Sequence, residues 1–246
     1  MLGINNKPFI SLDTHSLLSD QEWQEIYFEL CIGLAKSSNS SPYGYYPKDY
    51  IYWSHHLDNP ILQADVNLNH LNNKQKILVK MLDFRTLFKF LKYYGGAYFS
   101  ENQTLCLTKI LDPRAAYDDR EDHSDYTDEA KQNFPKTIRM INDLDIFESI
   151  GRVIILGQDP YQPVITHKDQ LSIKAEYFLH INPIKNKLFF VYDEETDTKY
   201  HTTQNRIIMF NNSDWHGADP QNKFSLTLKI SGKVKDSITK DLNYGI

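Results

Sequence analysis

The sequence predicts an α+β chain, with helices in the first half and short antiparallel strands forming a sandwich or barrel in the second. Three observations lead there. Apolar residues recur at helical spacing in the first half, while β-branched and aromatic runs separated by turn signals fill the second. No helix-length pattern lies between those runs, which argues against a parallel α/β sheet. A length of 246 residues allows one large domain or two small ones. With no internal repeat, the prediction is a single domain over 1–246. Residues 1–130 are expected to be mainly helical, and the β-core to occupy about 131–235.

Each element has its own local reason. Ser19 and Asp20 can cap a helix through EWQEIYFELCIGLAK, where Trp23, Ile26, Tyr27, Leu30 and Leu34 share one face. The polar run from Ser37 to Pro42 ends it. A second helix is predicted over 73–94, stopped by Gly95 and Gly96, and a third over 127–142. Strands are predicted at 152–156, 175–181, 187–192, 206–210 and 224–230. Asn182-Pro183, Asp193-Glu194-Glu195 and Asn211-Asn212-Ser213-Asp214 supply the turns between them.

Composition excludes several classes. Hydrophobic residues at 41% and charged residues at 24% fit a packed globular chain and not a disordered tail or coiled coil. No stretch of 18 apolar residues occurs, and MLGINNKPFISLD lacks the apolar region of a signal peptide. The expectation is therefore a cytoplasmic protein with no membrane partner. Cys31 and Cys106 are too few for a disulfide framework or a thiolate zinc site and read as apolar fillers. A net charge of -5 argues against nucleic-acid binding. The 27 basic residues comprise 21 Lys and 6 Arg, and no arginine follows Arg206.

The chemistry-bearing motif is His167-Lys168-Asp169. In a strand, residues i and i+2 face the same way, so the imidazole and carboxylate could chelate one ion. His56-Leu57-Asp58 and His123-Ser124-Asp125 have the same form. His123 lies among acids in what reads as a solvated loop, however, and His56 lies in an aromatic-rich loop. Only His167 follows an apolar strand and precedes a second His in matching surroundings. That second residue is His216, which closes the strand-and-turn segment NRIIMFNNSDWHG. Two His and one carboxylate form the facial triad of non-haem Fe(II) oxygenases.

The segment 134–230 resembles the double-stranded β-helix (jelly-roll, cupin-like) core of Fe(II)/2-oxoglutarate-dependent oxygenases. FPKTIRMINDLDIFESIGRVIILGQDPYQPVITHKD is similar to the aspartyl/asparaginyl β-hydroxylase and proline hydroxylase-like branch, where an FP-T segment precedes a strand, a turn and the first metal-binding His. The resemblance implies His167, Asp169 and His216 as catalytic iron ligands, with Fe(II), 2-oxoglutarate and O2 as cofactor and co-substrates. The implied reaction is a hydroxylation giving succinate and CO2, on an amino acid, a peptidyl side chain or another small molecule. The presence of Asp169 argues against the halogenase variation.

The family usually binds the far carboxylate of 2-oxoglutarate through an Arg soon after the distal His, often as Arg-x-Ser. This chain has no Arg there, so a Lys must serve. Lys223-Phe224-Ser225 has the right form, and alternation places Lys223, Ser225, Thr227 and Lys229 on one strand face. Lys223 is the first choice and Lys229 the second, with Ser225 assisting. Tyr177, Tyr161 and His180 are further candidates for the co-substrate pocket, and Trp215 is expected to keep the metal site dry.

Tyr43, Tyr45, Tyr46, Tyr50, Tyr52 and Trp53 crowd one segment that either walls a substrate pocket or covers the β-core. The acidic stretch 112–129 reads as a solvated loop more readily than as a lid. Two other classes stay open at this stage. One is a cupin-like metal enzyme that does not use 2-oxoglutarate, and the other is a non-catalytic β-sandwich binding module with incidental histidines.

Overall fold

The computed structural model describes residues 4, 6–12, 17–37, 69–95, 103–108, 125–158, 160–169 and 177–238. Helix α1 (Asp20–Lys36) begins at the predicted cap. The Ser19 hydroxyl accepts from the Glu22 N–H, and the Glu22 carboxylate accepts from the Ser19 N–H. Every residue from Ile26 to Ala35 is buried, because the sheet and other helices surround this stretch.

Two predicted helices are each divided. The segment 73–94 forms α2 (Asn73–Lys80) and α3 (Phe84–Gly95). Asp83 sits in the break, where its carboxylate accepts from the N–H and hydroxyl of Thr86 and so caps a new helix. The segment 127–142 forms α4 (Asp128–Asn133) and α5 (Pro135–Asp143). Pro135 has no N–H to continue a helix and shifts Phe134 to φ -132°, ψ 41°. Glu29 of α1 then caps α5. Its carboxylate accepts from the N–H groups of Lys136 at 3.0 Å and Thr137 at 2.7 Å, and from the Thr137 hydroxyl at 2.9 Å.

The strands are β1 (Ile10–Ser11), β2 (Gln103–Cys106), β3 (Phe147–Gln158), β4 (Val164–His167), β5 (Tyr177–Ile181), β6 (Phe189–Asp193), β7 (Thr198–His201), β8 (Ile207–Asn211), β9 (Trp215–Ala218) and β10 (Ser225–Val234). One sheet has the order β1-β8-β5-β10-β3-β2 and the other β4-β9-β6-β7. Every pairing is antiparallel. Pairing β3 with β10, β4 with β9, β5 with β8 and β6 with β7 makes one long hairpin rolled into two facing sheets. This arrangement is consistent with a jelly-roll core. The predicted strand at 152–156 is longer than expected, and β4 stands apart from it beyond Pro160 and Pro163.

Period-two alternation gives the larger sheet two apolar faces. Leu226, Leu228 and Ile230 of β10 join Val153, Ile155, Leu179, Ile181, Ile207 and Met209 against helix residues such as Trp23, Leu30 and Phe90. The opposite face, between the sheets, holds a smaller cluster of Phe178, Phe189, Val191, Ile208 and Phe210. The helices thus buttress one face of the β-core, as the sequence predicts. Arg206 ties α1 to the sheet. It lies 5.7 Å from the Trp23 ring, pairs with Asp20 at 2.7 Å and donates to the Pro183 carbonyl at 3.0 Å.

Cys31 is a buried free thiol. Among the described residues no helix is long and apolar enough to cross a membrane. The tyrosine-rich segment at 43–53, His56, His123, the acidic run 112–124 and the side chain of Cys106 lie outside the described residues.

Candidate metal centre and its adjoining chamber

β4 and β9 pair with His167 directly opposite His216, which brings the two imidazoles together with ring centroids 4.5 Å apart. Gly217 makes this approach possible. A Cβ there would sit 2.8 Å from the Val164 carbonyl oxygen and 2.9 Å from Cζ of Phe190. Only a hydrogen fits between the strands.

Asp169 lies just past the end of β4 and faces both rings. Its Oδ1 is 3.7 Å from Nε2 of His167, and its Oδ2 is 3.6 Å from Nε2 of His216. One ligand atom from each of the three residues lies within 4.8 Å of the others. Nδ1 of His167 is 2.7 Å from the Ile165 carbonyl, and Nδ1 of His216 is 2.9 Å from the Asp214 carbonyl. A carbonyl only accepts, so Nδ1 carries the proton in both rings and Nε2 keeps its lone pair. Such backbone partners orient metal-binding imidazoles in known sites. The donor set of two imidazoles and a carboxylate therefore fits a divalent transition-metal ion.

Electrostatics favour the same protonation states. Burial and the nearby Lys229 charge push the His216 imidazole down to about 4, against the pull of Asp169, so it is neutral near pH 7. Burial alone would raise the Asp169 carboxyl. The Lys229 ammonium, foremost through its charge and its hydrogen bond, outweighs that effect and holds it below the usual carboxylate range.

A cluster of buried polar side chains adjoins the triad between the sheets. His180 is buried and stacks on Phe189 at 4.3 Å, and Phe189 is in turn 5.9 Å from the His216 ring. Burial and the charges of Lys187, His216 and Lys229 keep the His180 imidazole far below its ordinary value. Lys187 is 4% exposed, and its ammonium reaches the Thr227 hydroxyl at 3.4 Å. Burial lowers it to about 8. Ser225 Oγ and His180 Nε2 are buried without a hydrogen-bond partner among the described residues. A buried cation beside unpartnered polar atoms is a combination that a carboxylate would satisfy.

The structure places the sequence candidates unequally. Ser225, Thr227 and Lys229 lie on the inner face of β10, as alternation predicts. Lys229 contacts Asp169 Oδ2 with its ammonium and lies 4.0 Å from the Phe178 ring centroid. Lys223 does not share that face. It is exposed in the bend before β10, which begins only at Ser225. Tyr177 is also turned away. It lies one residue out of phase with Phe178 and His180 and packs against the helix-side cluster. Tyr161 is 62% exposed in a turn. Trp215 alternates with His216 and donates to Glu194 at 2.7 Å instead of packing at the triad.

Lys187 is a buried charged residue near the triad that the sequence reading misses. Its available signal is parity, since it is in phase with Phe189 and Val191, the two β6 residues of the inter-sheet cluster.

Two paired strands thus bring two oriented imidazoles together with the carboxylate of Asp169 in a group that could hold one metal ion. No protein-family model matches the chain. No curated protein matches it either.

Among solved structures, the chain is similar to proteins of the 2OG-Fe(II) oxygenase family, prolyl hydroxylases among them. One is an oxidoreductase of that family from Burkholderia pseudomallei, at 11% identity and TM-score 0.37, covering 53% of this chain and 65% of that one. Another is a prolyl-4-hydroxylase from Pseudomonas putida, at 8% identity and TM-score 0.35, covering 55% and 73%. A third is a viral collagen prolyl hydroxylase from Paramecium Bursaria Chlorella virus-1, at 11% identity and TM-score 0.27, covering 44% and 74%. The chain thus spans just under two thirds of the length of the first of these.

Proposed function

We propose that this chain is an Fe(II)- and 2-oxoglutarate-dependent dioxygenase with a double-stranded β-helix core, acting as a hydroxylase. Its substrate would be an amino acid, a peptidyl side chain or another small molecule. One observation supports this most: the His167–Asp169–His216 triad shares one inter-sheet space with a buried lysine and unpartnered polar atoms. A metal site alone suits many enzymes. A metal site with an adjoining cationic pocket suits a co-substrate that offers a chelating head and a distal carboxylate.

His167, Asp169 and His216 would hold the ion through Nε2, a carboxylate oxygen and Nε2, leaving its remaining positions to small molecules. When bound, Fe(II) supplies the redox chemistry that consumes O2 and 2-oxoglutarate and yields succinate and CO2. Lys187 would neutralise the distal carboxylate, with the Ser225 and Thr227 hydroxyls donating to it. This assignment replaces Lys223, which the structure leaves exposed. Phe178, Phe189, Val191, Ile208 and Phe210 line the same space and exclude water, which strengthens each charge interaction within it.

The test is succinate formation by purified chain given Fe(II), 2-oxoglutarate and air, followed by mass spectrometry. Even without its substrate, such an enzyme is expected to turn over slowly, with Fe(II) and oxygen both required. Folded protein that consumes no 2-oxoglutarate under any metal supply would sink the proposal.

A further inference from the structure

The Lys229 ammonium contacts Oδ2 of Asp169, the same oxygen that lies 3.6 Å from Nε2 of His216. An ion bridging Asp169 and His216 must therefore approach a carboxylate that already holds a cation. The Lys229 side chain is only 12% exposed, so water and salt screen it poorly.

The charge balance sharpens the point. Asp169 is the single acid in the ligand group found among the described residues. Its negative charge is already matched by Lys229 before any ion arrives. The Phe178 ring, 4.0 Å from the Lys229 Nζ, offers that ammonium a favourable surface when the carboxylate is taken up elsewhere.

We propose that Lys229 is a resident cation that competes with the metal ion for Asp169 and so weakens the hold of the triad on it. The inference rests on the metal reading of the triad. The Lys229 contact holds the Asp169 carboxylate where it faces both imidazoles. On loading, the ion must displace that contact or tolerate a like charge beside it, and either weakens binding. An anionic co-substrate offsets the surplus positive charge, so the ion and the co-substrate bind more tightly together than apart. By linkage the coupling is reciprocal.

The experiment is calorimetric titration of the full chain with Co(II), without and then with 2-oxoglutarate. Wild type is compared with Lys229→Met, Lys229→Gln, Lys229→Arg and His216→Ala, and circular dichroism melts confirm that each is folded. Both neutral variants should bind Co(II) at least about tenfold more tightly than wild type, or about 1.4 kcal/mol. Lys229→Arg keeps the charge and should stay within about threefold of wild type. Added 2-oxoglutarate should tighten Co(II) binding more in wild type than in Lys229→Met.

If His216→Ala abolishes binding while both neutral variants bind no more tightly than wild type, the role of Lys229 is overturned and the metal site stands. If folded wild type binds no Co(II) at all, the metal site and the role of Lys229 fall together.

Discussion

Replacing Lys187 by Met should stabilise the chain while removing its affinity for 2-oxoglutarate. Lys187 is 4% exposed, and its hydrogen bond to Thr227 is a long one at 3.4 Å. Moving a lysine from 10.5 to about 8 corresponds to about 3 kcal/mol against the charged form. Methionine fills similar volume without that penalty. The melting temperature at pH 7 should therefore rise, by roughly 6–12 °C at about 2–4 °C per kcal/mol for a chain of this size.

The pH dependence follows from the same burial. The folded value lies below the unfolded one, so between about 8 and 10.5 the unfolded chain binds more protons and wild-type stability rises with pH. Below about 8 both states are protonated, and the full penalty is present. The Lys187→Met variant should lose that slope. Binding moves the other way, because removing one partner of a buried charge pair costs about 2–5 kcal/mol. Thermal melts across pH 7–10 and 2-oxoglutarate titration of the metal-loaded chain measure both effects. A variant that melts lower and binds 2-oxoglutarate as wild type does would refute the assignment of Lys187.

Three further outcomes are expected. Gly217→Ala forces a Cβ to within 2.8 Å of the Val164 carbonyl, so it should cost about 1–3 kcal/mol in a denaturant melt and weaken Co(II) binding by calorimetry. Glu29→Ala strands the donors of Lys136 and Thr137 at the start of α5, a loss of about 2–4 kcal/mol. Its metal affinity should stay unchanged, because the contact lies on the helix side of the larger sheet. Lys223→Ala should leave the 2-oxoglutarate dependence of succinate formation unaltered, since Lys223 is exposed in the bend before β10.

Much of the site is legible in the sequence because strands alternate. The period of two puts Ser225, Thr227 and Lys229 opposite Phe224, Leu226 and Leu228, and the structure buries both sets in different surroundings. The triad is legible from residue type, order and flanking strands. Lys187 is harder to read, because KNKLFF reads locally as the polar start of a strand and parity with Phe189 and Val191 is its one local signal. Its burial depends on Thr227 and His180 from other strands. Tyr177 differs from its expected place by one residue of phase, which in a strand is the difference between two faces.

The helix breaks do have local signals, namely Asp83 as a cap and Pro135 as an interruption, but apolar periodicity continues across both and masks them. The four-residue strands β4, β7 and β9 are too short to show a period of their own. They exist because neighbours pair with them, β7 and β9 with β6 and β4 with β9.

The central claim is that one site holds both Fe(II) and 2-oxoglutarate. Anaerobic addition of Fe(II) and then 2-oxoglutarate tests it most directly, by the weak visible charge-transfer absorption of the chelate. The band should form in wild type and be lost in His216→Ala. Folded wild type that binds Fe(II) yet develops no band with 2-oxoglutarate would contradict it.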